Sequence, residues 1–246
     1  MSDTFSRRKF IAGLSALSGV ALTGCNRDIY VPPHFGGLLD ASDALTMSVQ
    51  RMLLTEQSMA REYSVADISD DFPVVGTRLP NNVSYVMSLS NNFRDWRLRV
   101  DGLVDRPLSL SLADLKALPA RTSITSHSCE EGWTAIAQWQ GTTLSQVLEL
   151  AGLKREARYI TFRCADGWYD YLDLFDALHA QTILAYGMNG TNLPIPHGAP
   201  VRLRVARHLG YKSLKFIQSI RVVDMPKPIY DDSSPRLFHF SWYAGI

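Results

Sequence analysis

The sequence lacks the motifs that mark several common metal and redox sites. Its three cysteines, Cys25, Cys129 and Cys164, form no Cys-x-x-Cys pair, and no two histidines lie four residues apart. A zinc site built on such pairs and a haem attached through Cys-x-x-Cys-His are therefore excluded. A glycine-rich dinucleotide fingerprint is also absent, which argues against a nicotinamide-binding domain of the Rossmann type.

An excess of charge of one sign is missing as well. Charged residues make up 20% of the 246 residues and the formal net charge is +1, so no global field favours a nucleic acid partner. No repeat or low-complexity tract indicates a solenoid or a disordered scaffold. The apolar fraction of 46% is ample for a core, which predicts a globular chain of one large or two small domains.

A long hydrophobic run is not found either, and this bears on the N-terminus. The apolar stretch Phe10–Gly24 is shorter than the ~20 residues that a membrane-spanning helix needs. Arg7-Arg8 precedes this stretch and Leu22-Thr23-Gly24-Cys25 ends it, so residues 1–24 resemble a twin-arginine export signal with a lipoprotein cleavage box. We expect export of the folded protein to the periplasm and a lipid anchor on Cys25. An ordinary secretory signal is the alternative.

The rest of the chain divides by pattern into a tether, a helix, a main domain and a tail. Prolines and glycines without periodicity predict a tether over residues 25–44. Apolar residues at helical spacing predict that segment 45–70 carries an amphipathic helix, which reaches about Tyr63 and packs on the core. The catalytic domain is expected at 71–224, and the aromatic segment 225–246 is expected to pack on it.

Short strands outnumber helices in the main domain and show no regular alternation of strand and helix. The expected fold is a single α+β domain with a mixed, β-rich core. Helices are predicted over 111–119, 142–152 and 174–179, and strands over 97–100, 122–128, 159–164, 168–172, 182–186, 200–206 and 214–223.

Cys129 stands at the end of a predicted strand, where scaffolds present reactive groups. His127 lies two residues before it on the same face, and Glu130 and Glu131 follow it. Neighbouring carboxylates raise the pKa of a thiol, which opposes a free thiolate nucleophile, whereas a metal ion deprotonates a coordinating thiol. In an oxidising compartment, a disulfide between Cys129 and Cys164 is the structural alternative.

The basic segment from His197 to Lys215 is a second candidate element. Strand alternation places Arg202 and Arg204 on one face, and Gly210 permits close approach of the backbone to another group. Arginine can bind phosphate through two parallel hydrogen bonds, and Lys215 adds a point charge. The segment predicts an anion-binding site, with a solvated basic strand edge as the alternative.

Five blocks of sequence, in this order, resemble the molybdopterin-binding domain of the sulfite oxidase family. They are Cys129-Glu130-Glu131-Gly132-Trp133, Trp139-Gln140-Gly141, Met188-Asn189-Gly190, the stretch His197–Arg202 and the stretch Gly210–Lys215. The resemblance covers roughly Arg97–Asp224 and looks closest to the exported, sulfoxide-reducing branch of the family. It implies a molybdenum atom held by the dithiolene of one molybdopterin, with Cys129 as the protein thiolate.

Further roles follow from the resemblance position by position. Asn91 matches an asparagine that contacts the pterin, Cys164 stands where relatives have threonine, and Arg202 would bind the cofactor phosphate. A cysteine that ligates molybdenum is not free to pair, which argues against the disulfide. The implied site comprises Cys129 and His127 as catalytic residues, Cys129 as the metal ligand, and Asn91, Cys164, His197, Arg202, Ser213, Leu214 and Lys215 as cofactor-binding residues.

The surroundings of Cys129 bear on the direction of the reaction. Its neighbours are a serine and two glutamates, and no arginine adjoins it in the sequence, whereas the sulfite dianion favours a cationic pocket. We therefore expect a reductase that acts on a sulfoxide or another small neutral molecule and exchanges electrons with a separate protein such as a membrane cytochrome. The alternatives are a sulfite oxidase-type dehydrogenase and a non-catalytic lipoprotein with a bridge between Cys129 and Cys164.

Overall fold

The computed structural model describes residues 57–225 without a break and, before them, residues 45, 48, 49 and 52–55. The chain divides into two compact units, Met1–Leu45 and Thr46–Ile246, and the fold is that of the second unit. The predicted signal, the predicted tether and the predicted aromatic tail beyond Met225 lie outside the described residues. No described helix is long and apolar enough to cross a membrane.

Residues 57–225 contain ten strands and four α-helices, joined by short connections. The strands are β1 (Arg97–Gly102), β2 (Leu108–Ser111), β3 (Ala120–Ser128), β4 (Thr134–Thr143), β5 (Tyr159–Cys164), β6 (Tyr169–Asp173), β7 (Thr182–Met188), β8 (Thr191–Asn192), β9 (Arg202–Val205) and β10 (Ile217–Val223). The helices are α1 (Val83–Ser90), α2 (Leu112–Ala117), α3 (Leu144–Ala151) and α4 (Leu174–Ala177), and single 3-10 turns lie at Val65–Asp67, Ile195–His197 and Gly210–Lys212.

The strands form two mixed-order sheets. The first has the order β2-β1-β10-β5-β6, in which β1 and β10 run parallel and the other pairs run antiparallel. The second has the order β3-β4-β7-β8, with β9 also paired to β7, and all its pairs are antiparallel. The order of strands does not follow the chain, so residues distant in sequence become neighbours.

One apolar core is shared by the two sheets. The first sheet contributes Leu98, Phe162 and Ile220, the second contributes Leu184 and Leu203, and all five side chains are fully buried. Side chains of this size each stabilise the fold by ~1.5–3 kcal/mol when buried. The shared core confirms the predicted single α+β domain with a mixed, β-rich centre.

Local signals in the sequence set several element ends as predicted. Ser111 caps α2 by accepting from the Asp114 N–H at 3.0 Å, while the Asp114 carboxylate accepts from the Ser111 N–H at 2.8 Å. Gly152, with φ +72°, ends α3, and Asn189-Gly190, both with positive φ, form the turn between β7 and β8.

Gln140-Gly141, directly before the helix predicted over 142–152, has the composition of a turn, and the prediction of a turn there is wrong because both residues lie inside β4. This strand pairs with β3 over its full nine-residue register and with β7 on its other side. A Cβ on Gly141 would overlap the Leu184 backbone. The glycine therefore permits close packing of two strands and a shift in their register, where the sequence alone suggested a turn.

The N-terminal helix, predicted to reach about Tyr63, ends earlier in the structure. The last described helical residue is Leu53, and the chain is extended where the Tyr63 N–H donates to the Ile124 carbonyl at 2.9 Å. Glu62 forms a bridge with Thr125 in β3. Because β3 is an edge strand, its open backbone groups favour an added extended segment over a further helical turn.

The predicted packing of this helix on the core is not observed either. Val49 is 39% exposed, Met52 is 77% exposed and Leu53 is 74% exposed. What attaches the following segment to the domain is polar: the Gln181 side-chain amide accepts from the Ala60 N–H at 2.7 Å and donates to the Ala60 carbonyl at 3.0 Å. Attachment to the domain therefore begins before the predicted boundary at residue 71.

Candidate functional site

One pocket gathers seven of the nine predicted site residues. They come from the end of β3, the connection between β8 and β9, the start of β9, and the loop between β9 and β10. The seven that line the pocket are His127, Cys129, His197, Arg202, Ser213, Leu214 and Lys215. The fold thus brings the thiol and the basic segment together, as the resemblance implies.

Cys129 is aimed into the pocket by a tight turn. Its N–H donates to the Trp133 carbonyl at 2.9 Å, and Gly132, with φ +92°, donates to the Cys129 carbonyl at 3.1 Å. The sulfur accepts from the Glu131 N–H at 3.5 Å and lies 3.6 Å from Glu130 Oε2. Burial raises the pKa of the thiol, the Glu131 N–H opposes this, and the Glu130 carboxylate adds to it. A bound metal ion would deprotonate the thiol.

Arg202 and Arg204 are buried side by side on β9, and neither forms an ion pair with an acid in the described part of the chain. Arg202 donates to the His197 carbonyl at 3.1 Å and the Ser213 carbonyl at 2.7 Å. Both guanidinium groups face the ring of Trp139, at 5.0 and 5.7 Å from its centre. The solvated strand edge considered above is therefore wrong, since both charges are inside the protein.

Burial without a counter-ion destabilises these two cations. It lowers the pKa of Arg202 to about 10, and burial together with the Arg202 charge lowers that of Arg204 to about 9. The Nε of each, within the described residues, has no hydrogen-bond partner. Buried charges are retained when something neutralises them. This arrangement calls for an anionic ligand at Arg202, which lines the pocket, with Arg204 behind it.

The two pocket histidines are neutral at pH 7. Burial, then the charges of Arg204 and Arg202, lowers the pKa of His127 to about 2. Burial, then Arg202, lowers the pKa of His197 to about 4. A Cβ on Gly210 would come within 2.5 Å of His127 Nε2, so the close approach predicted for this glycine is to a pocket side chain. Both imidazoles can serve as hydrogen-bonding and packing groups.

Lys215 lines the pocket but directs its ammonium at protein carbonyls. It donates to the Val75 carbonyl at 2.8 Å, to the Pro196 carbonyl at 3.1 Å and to the Thr77 carbonyl. Burial, followed by the Arg202 charge, lowers its pKa to about 8. Through these hydrogen bonds Lys215 attaches a loop from early in the chain to the basic segment. The sequence predicted only that Lys215 adds a positive charge to the site.

Asn91 and Cys164 are not among the residues that line this pocket. Asn91 follows α1, and its side-chain oxygen accepts from the Arg94 N–H at 3.1 Å, so it is engaged in its own turn. Cys164 ends β5 and belongs to the apolar core, where burial raises the pKa of its thiol well above the usual value. For these two residues, which lie outside the pocket lining, contact with the cofactor stays a prediction.

Cys129 and Cys164 are both free thiols. The bridge between them that defined the non-catalytic alternative is therefore not formed. Cys164 is instead held at a turn, where its N–H donates to the Trp168 carbonyl at 2.9 Å and its carbonyl accepts from the Gly167 N–H at 3.2 Å. Through this turn Cys164 places its neighbours Asp166 and Trp168 in the pocket wall.

Several lining residues were not predicted from the sequence. Phe72 precedes the matching blocks, and Asp166 and Trp168 come from a loop whose direction only the fold decides. Tyr211 lies within a matching block but had no assigned role. Asp166 adds a carboxyl group to the pocket wall, and burial raises its pKa. Trp133 was inside a recognised block, but its position against His127, 5.8 Å between ring centres, could not be deduced from spacing.

Comparison with known proteins decides the family. A family model described as the oxidoreductase molybdopterin binding domain matches residues 86–230. The chain belongs to this family. It is therefore a molybdopterin-dependent oxidoreductase, and its cofactor is molybdopterin with molybdenum.

Similar proteins carry related names. A candidate protein-methionine-sulfoxide reductase subunit, YedZ1, of Azospira oryzae is 33% identical over 98% of this chain and 88% of its own length. The protein-methionine-sulfoxide reductase catalytic subunit MsrP of Campylobacter jejuni is 29% identical over 65% of this chain and 60% of its own. The crystal structure of the sulfane dehydrogenase SoxCD of Paracoccus pantotrophus aligns with a TM-score of 0.51 and 25% identity, covering 54% of this chain and 39% of that one.

The residues present fit the cofactor. Arg202, which is buried and within the described residues has neither a partner for its Nε nor an acid beside it, would hold the phosphate, and Cys129 would ligate molybdenum. Among the described residues, no group of three or more histidine, cysteine, aspartate or glutamate side chains could hold a metal ion. When bound, the cofactor supplies oxygen-atom transfer coupled to two electrons.

Proposed function

We propose that this chain is the catalytic subunit of an exported reductase that converts a sulfoxide, such as methionine sulfoxide, to the thioether. The reaction consumes two electrons and two protons and releases water. Support comes from the relatives named as protein-methionine-sulfoxide reductase subunits, one of which this chain matches over 98% of its length.

The position of Glu130 carries the choice of a neutral substrate. Its Oε2 lies 3.6 Å from the Cys129 sulfur, so a carboxylate adjoins the atom that would ligate the metal. A dianion such as sulfite would be repelled there, whereas a sulfoxide carries no net charge. The sequence-based argument that no arginine is near Cys129 needs correction, because Arg202 lines the same pocket. Its Nη groups are, however, bound to the His197 and Ser213 carbonyls.

The side chains around the thiol have separable tasks in this proposal. Trp133, Trp168 and Tyr211 present apolar surface on which a methyl thioether can pack. Asp166 lines the pocket, and we assign proton transfer toward the departing oxygen to its carboxyl group, whose pKa is raised by burial. Neutral His127 excludes water beside Cys129 without adding charge.

Electrons and location are part of the same proposal. The sequence has no haem attachment or dinucleotide motif, and we propose that a membrane cytochrome supplies the electrons. Export through the Arg7-Arg8 signal would bring the folded protein, with its cofactor, to that partner, and a lipid on Cys25 would hold it at the membrane. Cell fractionation tests this: Arg7→Lys with Arg8→Lys should retain the protein in the cytoplasm, and Cys25→Ala should release it from the membrane fraction.

The direct test compares two assays on one holoenzyme sample. Methionine sulfoxide reduction with an artificial electron donor and sulfite oxidation with an artificial acceptor are measured in parallel. The proposal expects turnover of the sulfoxide and little of sulfite, with sulfite oxidation raised in Glu130→Gln because a repelling charge is removed. Rapid sulfite oxidation without sulfoxide reduction would instead support a dehydrogenase, the function that the SoxCD likeness favours.

A further inference from the structure

A loop from before the family-matched region forms one wall of the pocket. We call residues 72–77 the strap. It precedes α1 and the start of the family match at residue 86. Five of its six residues, all except Val74, line the same pocket as Cys129 and Arg202.

Phe72 fixes one end of the strap through aromatic contacts. Its ring lies 5.4 Å from His127, 5.4 Å from His197, 5.5 Å from Trp139 and 5.8 Å from Trp133, measured between ring centres. Three of these contacts are edge-to-face, and such pairs each contribute ~0.5–1.5 kcal/mol beyond burial. The Phe72 ring therefore contacts rings of β3, of β4 and of the basic segment that begins at His197.

Lys215 and Asp166 fix the other end. The Lys215 ammonium donates to the Val75 and Thr77 carbonyls, and the Thr77 side chain is hydrogen-bonded to the Asp166 carboxylate. The strap lies outside the strands and helices. Side-chain contacts with three distant parts of the chain therefore hold it in place, so its opening can be separated from unfolding of the sheets.

We propose that the strap is part of the molybdopterin-binding site and retains the cofactor. Arg202 attracts an anion most strongly where water is excluded, and a wall closed by Phe72 and the strap backbone excludes it. The proposal rests on the family's cofactor and is independent of the substrate proposed above.

The test measures cofactor release and strap opening on the exported holoenzyme. Molybdenum and pterin that pass through a desalting membrane are followed over time, by mass spectrometry and by fluorescence of the oxidised pterin. Trypsin cleavage after Arg78, an exposed residue directly beyond the strap, reports opening. We expect Phe72→Ala and Lys215→Met to release the cofactor at least about 10-fold faster, equivalent to ~1.4 kcal/mol, and to be cleaved faster after Arg78.

Phe175→Ala is the matched control, because Phe175 is a half-buried phenylalanine on α4 that faces Arg207 and does not line the pocket. It should release the cofactor at the wild-type rate. Circular dichroism verifies folding, and if Phe72→Ala does not fold, Lys215→Met decides. Release at the wild-type rate from a folded variant, faster cleavage without faster release, or equal acceleration in Phe175→Ala would each overturn the proposal. All of these readouts are independent of sulfoxide reduction.

Discussion

Two groups of buried cations lie within eleven residues of each other and differ in one respect. Arg202 and Arg204 have no acidic partner in the part of the chain that the structure describes, whereas Arg207 and Lys212, which follow, are paired. Arg207 lies 2.6 Å from the Asp176 carboxylate, and Lys212 lies 2.8 Å from that of Asp170.

This difference distinguishes buried cations that stabilise the fold from buried cations that bind a ligand. A buried cation that serves the fold is neutralised by the chain itself, because an unpaired one destabilises the folded state. A cation that binds an anionic cofactor has to be left unpaired until the cofactor arrives. The paired group should therefore govern stability with or without cofactor, and the unpaired group should govern cofactor binding.

Breaking the paired group should have the largest effect on stability. Asp176→Ala leaves Arg207 buried without its carboxylate and should lower the free energy of unfolding by ~3–5 kcal/mol. Urea unfolding of the cofactor-free protein measures it. Asp101→Ala, which breaks the exposed pair with Arg221, is the control and should change stability by less than ~1 kcal/mol. Equal effects for the two variants would contradict the structural assignment.

Breaking the unpaired group should act on the cofactor instead. Arg202→Met removes a buried charge that has no acidic partner, so the cofactor-free protein should unfold at an equal or higher urea concentration. Cofactor binding should weaken about 100-fold, equivalent to ~2.7 kcal/mol. Titration of the cofactor-free protein with molybdopterin, and molybdenum content after purification, check both parts. A large loss of stability with unchanged cofactor content would refute the distinction.

Replacing both members of the Lys212–Asp170 pair should change the free energy of unfolding less than breaking the pair does. Lys212→Met alone leaves the Asp170 carboxylate buried and unpaired and should lower the free energy of unfolding by ~3 kcal/mol. The double variant with Asp170→Leu removes both charges and should lie within ~1 kcal/mol of wild type. A double-mutant cycle in urea measures the coupling. Additive losses would show that the pair does not act as a unit.

The pH dependence of stability should show the smallest effect. The pKa of His197 is about 4 in the folded protein, and the pKa of the buried His179 is also about 4. The ordinary pKa of histidine is near 6.5. Between pH 4 and 6.5 the unfolded chain binds more protons, so stability rises with pH across this window and is lost as pH falls.

Thermal unfolding measured from pH 4 to 7 checks this. His197→Gln and His179→Gln should each reduce the slope of stability against pH. Bound cofactor should reduce the His197 part, because a phosphate offsets the Arg202 charge, which after burial is the next cause of the lowered pKa. The His179 part, away from the pocket, should remain. Identical slopes with and without cofactor would count against an anion at Arg202.

The sequence allowed prediction wherever a short-range rule applies. The Ser111 cap, the Gly152 stop, the Asn189-Gly190 turn and the alternation of β1 all follow from neighbouring residues, and Cys129 at the end of β3 follows from the same pattern. The placement of β9 inside the protein, with both arginines buried, could not be read from alternation alone.

Long-range contacts account for what was missed. Phe72 reaches His127 only after the chain before α1 folds over the sheet. Asp176 lies in α4 and pairs with Arg207, which follows β9. Gln140-Gly141 has the composition of a turn, yet the packing of β4 against β7 keeps it in a strand.

The central claim is that Cys129 and the unpaired Arg202 hold a molybdenum-pterin group. Its most direct test is the molybdenum and pterin content of the purified, exported protein, measured by mass spectrometry and by fluorescence of the oxidised pterin. The account predicts about one molybdenum per chain in the wild type, none in Cys129→Ser, and loss of both metal and pterin in Arg202→Met. Wild-type protein without molybdenum or pterin, or Cys129→Ser with full molybdenum, would contradict it.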